Sequence, residues 1–153
     1  MRLDELGVEW VHEERADEID DKWQVLVYAT VRRGPSRDFA FGVLCVADTG
    51  RRVSIELPDV VFGGGNRREL LIRADSDPAF TVTAIGRTTD QHMADIEGAR
   101  LVWALSRMLA SARERIVVRD VETGRTFVLP LGPARPEANL AADRCEELRR
   151  PRS

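Results

Sequence analysis

The sequence predicts an α+β domain: a curved antiparallel β-sheet or half-barrel with one long α-helix packed on it and a C-terminal hairpin. Three observations lead there. Apolar residues recur at every second position from residue 23 to 87, the period lengthens to the helical 3.6 after Thr88, and period two returns after residue 114. The connections between the strands have hairpin length, which favours antiparallel neighbours over the long crossovers of a parallel sheet.

"WQVLVYATVRR" sets Trp23, Val25, Val27 and Val31 on one face and Leu26, Tyr28 and Thr30 on the other. Its β-branched and aromatic content suits a strand. "RGPS" (33–36) reads as a turn. "DFAFGVLCVAD" is apolar on both faces, as a strand at the centre of the sheet would be. "DTGR" (48–51) turns the chain into "RVSIELP", where Val53, Ile55 and Leu57 alternate with Arg52, Ser54 and Glu56. "ELLIRA" and "AFTVTAIGR" give two further strands on either side of a "DSDP" turn. In the segment that follows, Leu101, Leu105, Met108, Leu109 and Ala112 recur at helical spacing, with Thr88 or Thr89 as N-cap and Asp90 in the first turn, so one helix is expected over 89–114. "ERIVVRD" and "RTFVLPL" form the last hairpin, turning at "ETGR".

The domain organisation predicted is an acidic arm at 1–21, a single domain at 22–132 and a polar tail at 133–153. Residues 1–21 carry nine carboxylates against two arginines, whereas the tail balances five arginines against four acids. Ala141, Cys145 and Leu148 would place a thin apolar stripe on a short helix starting at Pro136, the alternative being an unstructured tail.

The 153 residues suffice for one core without staples, and 43% apolar with 32% charged residues excludes disorder by composition. The first residues show no basic segment followed by an apolar one, and no run of about 18 apolar residues occurs, so the expected location is the cytoplasm, away from membranes. In that reducing setting Cys45 and Cys145 are expected as free thiols, Cys45 as inert core packing. Lys22 is the only lysine, and the arginines are spread evenly along the chain, a bias of the kind a GC-rich bacterial genome produces; with a formal charge of −3 they do not indicate nucleic-acid binding.

"VVFGGGNRREL" poses the first chemical question. Gly63, Gly64 and Gly65 permit left-handed backbone, and Asn66, Arg67 and Arg68 bring donors for an anion, but the spacing fits neither a P-loop nor a dinucleotide fingerprint. A mobile connector between strands is the plain alternative. His12 in "HEERA" lacks the second histidine of a zinc helix, since Ala16 stands there. His92 falls near Asp90 and Asp95 with no Ser or Cys placed beside it as a nucleophile. Arg100, Trp103 and Arg107 share a helix face turned away from the Leu101/Leu105/Met108/Ala112 stripe, and a Trp between arginines has the composition of a binding hot spot. Alternatively, Trp103 packs under the tail or the sheet edge.

The order of strands and the "DP" turn before a Thr/Val-rich strand, from "VYATVRRGPSRDFAFGVLCV" through "RRELLIRADSDPAFTVTA", resemble the flavin split-barrel family, the pyridoxamine-phosphate-oxidase-like proteins, over about half the chain. The resemblance implies a flavin- or deazaflavin-binding oxidoreductase in which Arg67 or Arg68, with Asn66, would meet the flavin phosphate. The chain departs from that pattern in having no further strand predicted between Arg87 and the helix. The reading preferred from the residues is a small acidic, non-enzymatic protein-interaction module of accessory, inhibitor or immunity type, needing no cofactor or metal. It would meet a protein partner through Arg100, Trp103 and Arg107 or through Asp17, Glu18, Asp20 and Asp21, with a homodimer left open.

Overall fold

A computed structural model describes residues 2–31, 39–47 and 50–149. The turn expected at 33–36 and residues 48 and 49 of the next turn lie outside the described residues. In chain order the elements are β1 (Arg2–Leu3), β2 (Val8–Ala16), β3 (Trp23–Val31), β4 (Phe39–Val46), β5 (Gly50–Glu56), β6 (Arg67–Ala74), β7 (Phe80–Gly86), β8 (Met93–Ile96), α1 (Ala99–Ser111), β9 (Arg115–Asp120), β10 (Thr126–Pro130) and α2 (Pro136–Arg149). The strands form one antiparallel sheet in the order β1-β2-β3-β4-β5-β8-β7-β6-β9-β10.

The faces follow the alternation in the sequence. Val25, Val27, Phe41, Val43, Cys45, Val53, Ile55, Val82, Ile116, Val118, Phe127 and Leu129 are all buried, with α1 adding Val102, Leu105 and Leu109. Phe39 of β4 meets Phe127 of β10 with ring centroids 5.6 Å apart, although the two strands stand six places apart in the sheet. In a flat sheet that separation would be roughly 29 Å.

The long helix expected over 89–114 is corrected. The helix begins only at Ala99, after Gly98 with φ 102°, and residues 93–96 are strand β8. The reason is tertiary. Ser54, Ile55 and Glu56 of β5 pair with Asp95, Ala94 and Met93, while Ala84, Ile85 and Gly86 of β7 pair with Ile96, Asp95 and Ala94. Without β8 both neighbours would present unpaired backbone edges. Asp90, expected in a first helical turn, accepts the His92 amide in the tight turn before β8 instead.

Residues 1–21, expected as an arm, contain two strands. β2 pairs with β3 over nine residues, and Val8 and Trp10 are buried. Asp4 organises the entry, accepting the Leu6 and Val8 amides on Oδ1 and the Trp10 indole on Oδ2. Val8, Trp10 and His12 alternate in the sequence too, but Val11 between them and the charged run that follows hide the pattern.

At the other end, α2 lies against β3 and β4 with Ala138, Ala141 and Cys145 buried. Arg135 precedes it and donates to the Leu109 carbonyl near the C-terminus of α1, where a cation complements the helix dipole. The expectation of free thiols is overturned. Cys45 and Cys145 form a disulfide with Cα atoms 5.5 Å apart, closing a separation of 100 residues. Cys45 points to the core side of β4, the side that α2 covers, and no local spacing reveals a partner that far along the chain. No helix among the described residues is long and apolar enough to cross a membrane.

A cross-link of this span restricts the unfolded chain strongly. Removing it, by Cys45→Ala with Cys145→Ala or by a reductant, is expected to lower stability by about 2–5 kcal/mol. Thermal unfolding checks this; a melting curve indifferent to reductant would show that the bond is not part of the folded protein.

Candidate interaction surface

The glycine loop is fitted into the fold. The Gly65 amide donates to the Gly86 carbonyl at 2.9 Å, Gly86 donates to Asn66 at 3.0 Å, and Asn66 donates to Gly63 at 2.9 Å. A Cβ on Gly86 would stand 2.3 Å from the Gly63 carbonyl oxygen, so the loop lies on the end of β7 at a distance only glycine allows. Of the donors offered for an anion, Arg68 is engaged in the interior: Nε and Nη2 reach the two carboxylate oxygens of Asp120, each at 2.7 Å. Asp120 has no exposed surface and also accepts the Thr123 amide and hydroxyl. The Arg68 hydrogen bonds, opposed by burial and joined by Thr123, hold its pKa below the usual carboxylate range. Arg67 pairs with Glu97 at 2.8 Å on the surface. Asn66 is exposed. Strand β8 supplies the strand between Arg87 and the helix whose absence set the chain apart from the flavin split barrels, but both arginines that the resemblance assigns to a phosphate already hold carboxylates.

His92 Nδ1 lies 2.9 Å from the Val60 carbonyl oxygen, tying the turn before β8 to the 57–62 segment. His12 sits 3.8 Å from Glu14. Among the described residues no group of three His, Cys, Asp or Glu side chains could hold a metal ion.

One concavity lies on the face of the sheet opposite the core. It encloses about 460 Å³ over Leu26, Tyr28, Gly42 and Leu44. On its rim Arg87 donates to Ser54 at 2.7 Å and to Asp95 at 2.9 Å. Burial raises the Asp95 pKa, but the hydrogen bonds from Arg87 and Ser54 and the charges of Arg87 and Arg52 outweigh it and leave a net lowering. Arg15, Arg52 and Arg87 line it together with Glu13 and Glu56, and Arg87 is tied to Asp95 beside it.

The second concavity has a distinct character. It runs between the start of β5 and the first turns of α1, encloses about 870 Å³ and is lined by Gly50, Arg51, Ala99, Val102, Trp103 and Ala104. Trp103 stands at its lip, 43% exposed, with the Arg107 guanidinium 4.9 Å from the ring centroid. Trp103 is therefore not packed under the tail. α1 has no acidic residue, and neither Arg100 nor Arg107 has a carboxylate within salt-bridge distance among the described residues. Arg51 is held in place, donating to Ser106 at 2.8 Å and to Glu146 at 2.5 Å.

The acidic residues 17–21 form the tip of the β2–β3 hairpin. Asp17 Oδ1 accepts the Ile19 and Asp20 amides, and Oδ2 accepts Gln24 Nε2. These backbone donors lower the Asp17 pKa. Asp21 takes φ 58° to close the turn. Asp17 is thus occupied in shaping the loop, while Glu18, Asp20 and Asp21 are exposed on it. Sequence reading missed the residue at the apex: Ile19, 95% exposed. Its signal was a single apolar residue inside "DEIDD". It also missed the groove beside Trp103, whose walls come from β5 and α1 and are joined only by the fold.

Comparison with family models, curated proteins and solved structures found no match for this chain.

Arg68→Ala is expected to destabilise the fold by about 3–5 kcal/mol, because it leaves a buried carboxylate without its cation, whereas Arg67→Ala should leave stability nearly unchanged, as befits an exposed pair. The folded-state pKa of Asp120 is depressed, so its contribution is full above the ordinary carboxylate pKa of about 3.9 and is lost as pH falls through the lower folded value. Denaturant titration against pH should show the advantage of the parent over Asp120→Asn holding from neutral pH to about pH 4 and shrinking only below it.

Proposed function

We propose that the chain is a non-enzymatic protein-interaction module, of accessory, inhibitor or immunity type, that docks a partner at the Trp103 face of α1. The observation that carries this reading is the exposed Trp103 at the lip of the apolar groove, stacked by Arg107 and flanked by Arg100. A large amphipathic ring beside guanidinium groups is the composition of an interface anchor. The partner segment that fits is apolar with carboxylates around it. In this reading the sheet curves into a half-barrel with α1 on its core side and serves as scaffold. The Cys45–Cys145 bond favours an oxidising compartment over a reducing cytosol.

Capture on the immobilised chain, with identification by mass spectrometry, supplies the partner, and titration then tests the surface. Trp103→Ala is expected to lower affinity by about 2 kcal/mol or more, roughly thirtyfold. Circular dichroism should stay unchanged, since the ring is half in solvent. Binding that survives Trp103→Ala in a folded chain would move the interface elsewhere.

A further inference from the structure

Resting on the docking surface just proposed, we infer that one segment fitting it is the chain's own β2–β3 tip, presented by a second copy in a two-fold dimer. The complementarity is direct. The tip carries one fully exposed apolar side chain, Ile19, among Glu18, Asp20 and Asp21; the groove carries an apolar wall between Arg100 and Arg107. The tip is preorganised: Asp17 fixes the Ile19 and Asp20 amides, Asp20 Oδ1 accepts the Lys22 amide at 2.9 Å, and Asp17 donates to the Lys22 carbonyl at 2.8 Å. Ile19 is therefore held outward with little ordering left to lose on binding.

The tip does not occupy the groove of its own chain, because Ile19 is 95% exposed. Yet both lie at the same end of the sheet. Ala16 pairs with Trp23 where the hairpin begins, the Ala47 amide donates to Trp23, and Val46 pairs with Gly50, which lines the groove. Two to three strand spacings, about 10–15 Å, separate them. Donor and acceptor side by side at one end allow two copies to exchange tips reciprocally, so the contact closes on itself instead of propagating. Ile19 enters beside Trp103 of the other copy, and the carboxylates of each tip meet the arginines of the opposite helix.

Sedimentation velocity of the full chain tests this. A dimer is expected at about 20 mM NaCl that dissociates toward monomer at about 500 mM, since its rim charges are screened. Ile19→Asp, at a side chain with no packing to lose, and Trp103→Ala should each raise the dimer dissociation constant at least about tenfold. Charge reversal gives the sharper arm. A chain with Glu18→Lys and Asp20→Lys, and another with Arg100→Glu and Arg107→Glu, should each be monomeric alone and form a heterodimer when mixed, with circular dichroism confirming that both are folded. A monomeric parent at low salt, reversed chains that still self-associate, or a mixture that stays apart would overturn the dimer. If the parent is monomeric but a captured partner is lost on Trp103→Ala, the docking surface stands and the dimer falls. If Trp103→Ala associates and captures as the parent does, both fall.

Discussion

Burial at every second position is the constraint on which the rest of the structure hangs. Strands β3 to β10 hand alternate side chains to one core, and a slip of one residue would turn them outward. This is why the faces of β3, β4, β5, β7, β9 and β10 were legible from Val25, Phe41, Ile55, Val82, Val118 and Phe127: β-branched and aromatic residues at period two leave little choice. The same constraint explains the misreading of 89–98. Only Ala94 and Ile96 carry the alternation of β8. Four residues beside a strongly periodic helix cannot announce a strand, and what makes them one is the pair of open edges on β5 and β7, which are not neighbours in sequence.

The glycine loop shows how a composition suited to ligand binding arises from packing alone. Gly86 is small because the backbone of Gly63 touches it, Gly63 because the Asn66 side chain lies against it, and Arg68 is cationic because Asp120 is buried opposite it. Sequence reading saw donors and flexible backbone together but could not see the acceptor, which lies 52 residues further on, across the β6–β9 pairing. A buried carboxylate far along the chain and a bound phosphate make the same demand on an arginine.

The two ends of the chain were read as solvated segments for a related reason. In β2 only Val8 and Trp10 are buried and the strand runs on into the charged Glu13, Glu14 and Arg15, so charge masked the period; in α2 the buried residues are alanines and a cysteine, too small to mark a strong apolar face. A helix so weakly amphipathic contributes modest hydrophobic burial. Its position rests on the Cys45 bond and on polar ties that include Arg2 to Glu137, Arg51 to Glu146 and Arg144 to Glu14. These pairs are only partly exposed, and together with the disulfide they tie α2 to β1, β2, β4 and β5.

Charge at the hairpin tip was visible in the sequence; its rigidity was not. A loop that merely solvates carboxylates leaves them free to accept water, whereas Asp17 gives both oxygens to holding its neighbours, and Asp21 takes a left-handed conformation to complete the turn. Ordering a loop in this way loses conformational entropy that no local burial returns, since its apex residue is apolar and exposed. The α1 groove shows the complementary situation: Ser106 and Glu146 fix Arg51 beneath it, while Arg100 and Arg107 at its edge have no carboxylate within salt-bridge distance among the described residues. Long-range attraction between such charges governs encounter and register, and desolvation of an apolar residue against an aromatic ring governs how long the contact lasts. Tip and groove divide these roles alike: Ile19 stands among Glu18, Asp20 and Asp21, Trp103 stands between Arg100 and Arg107, and the two signs are opposite.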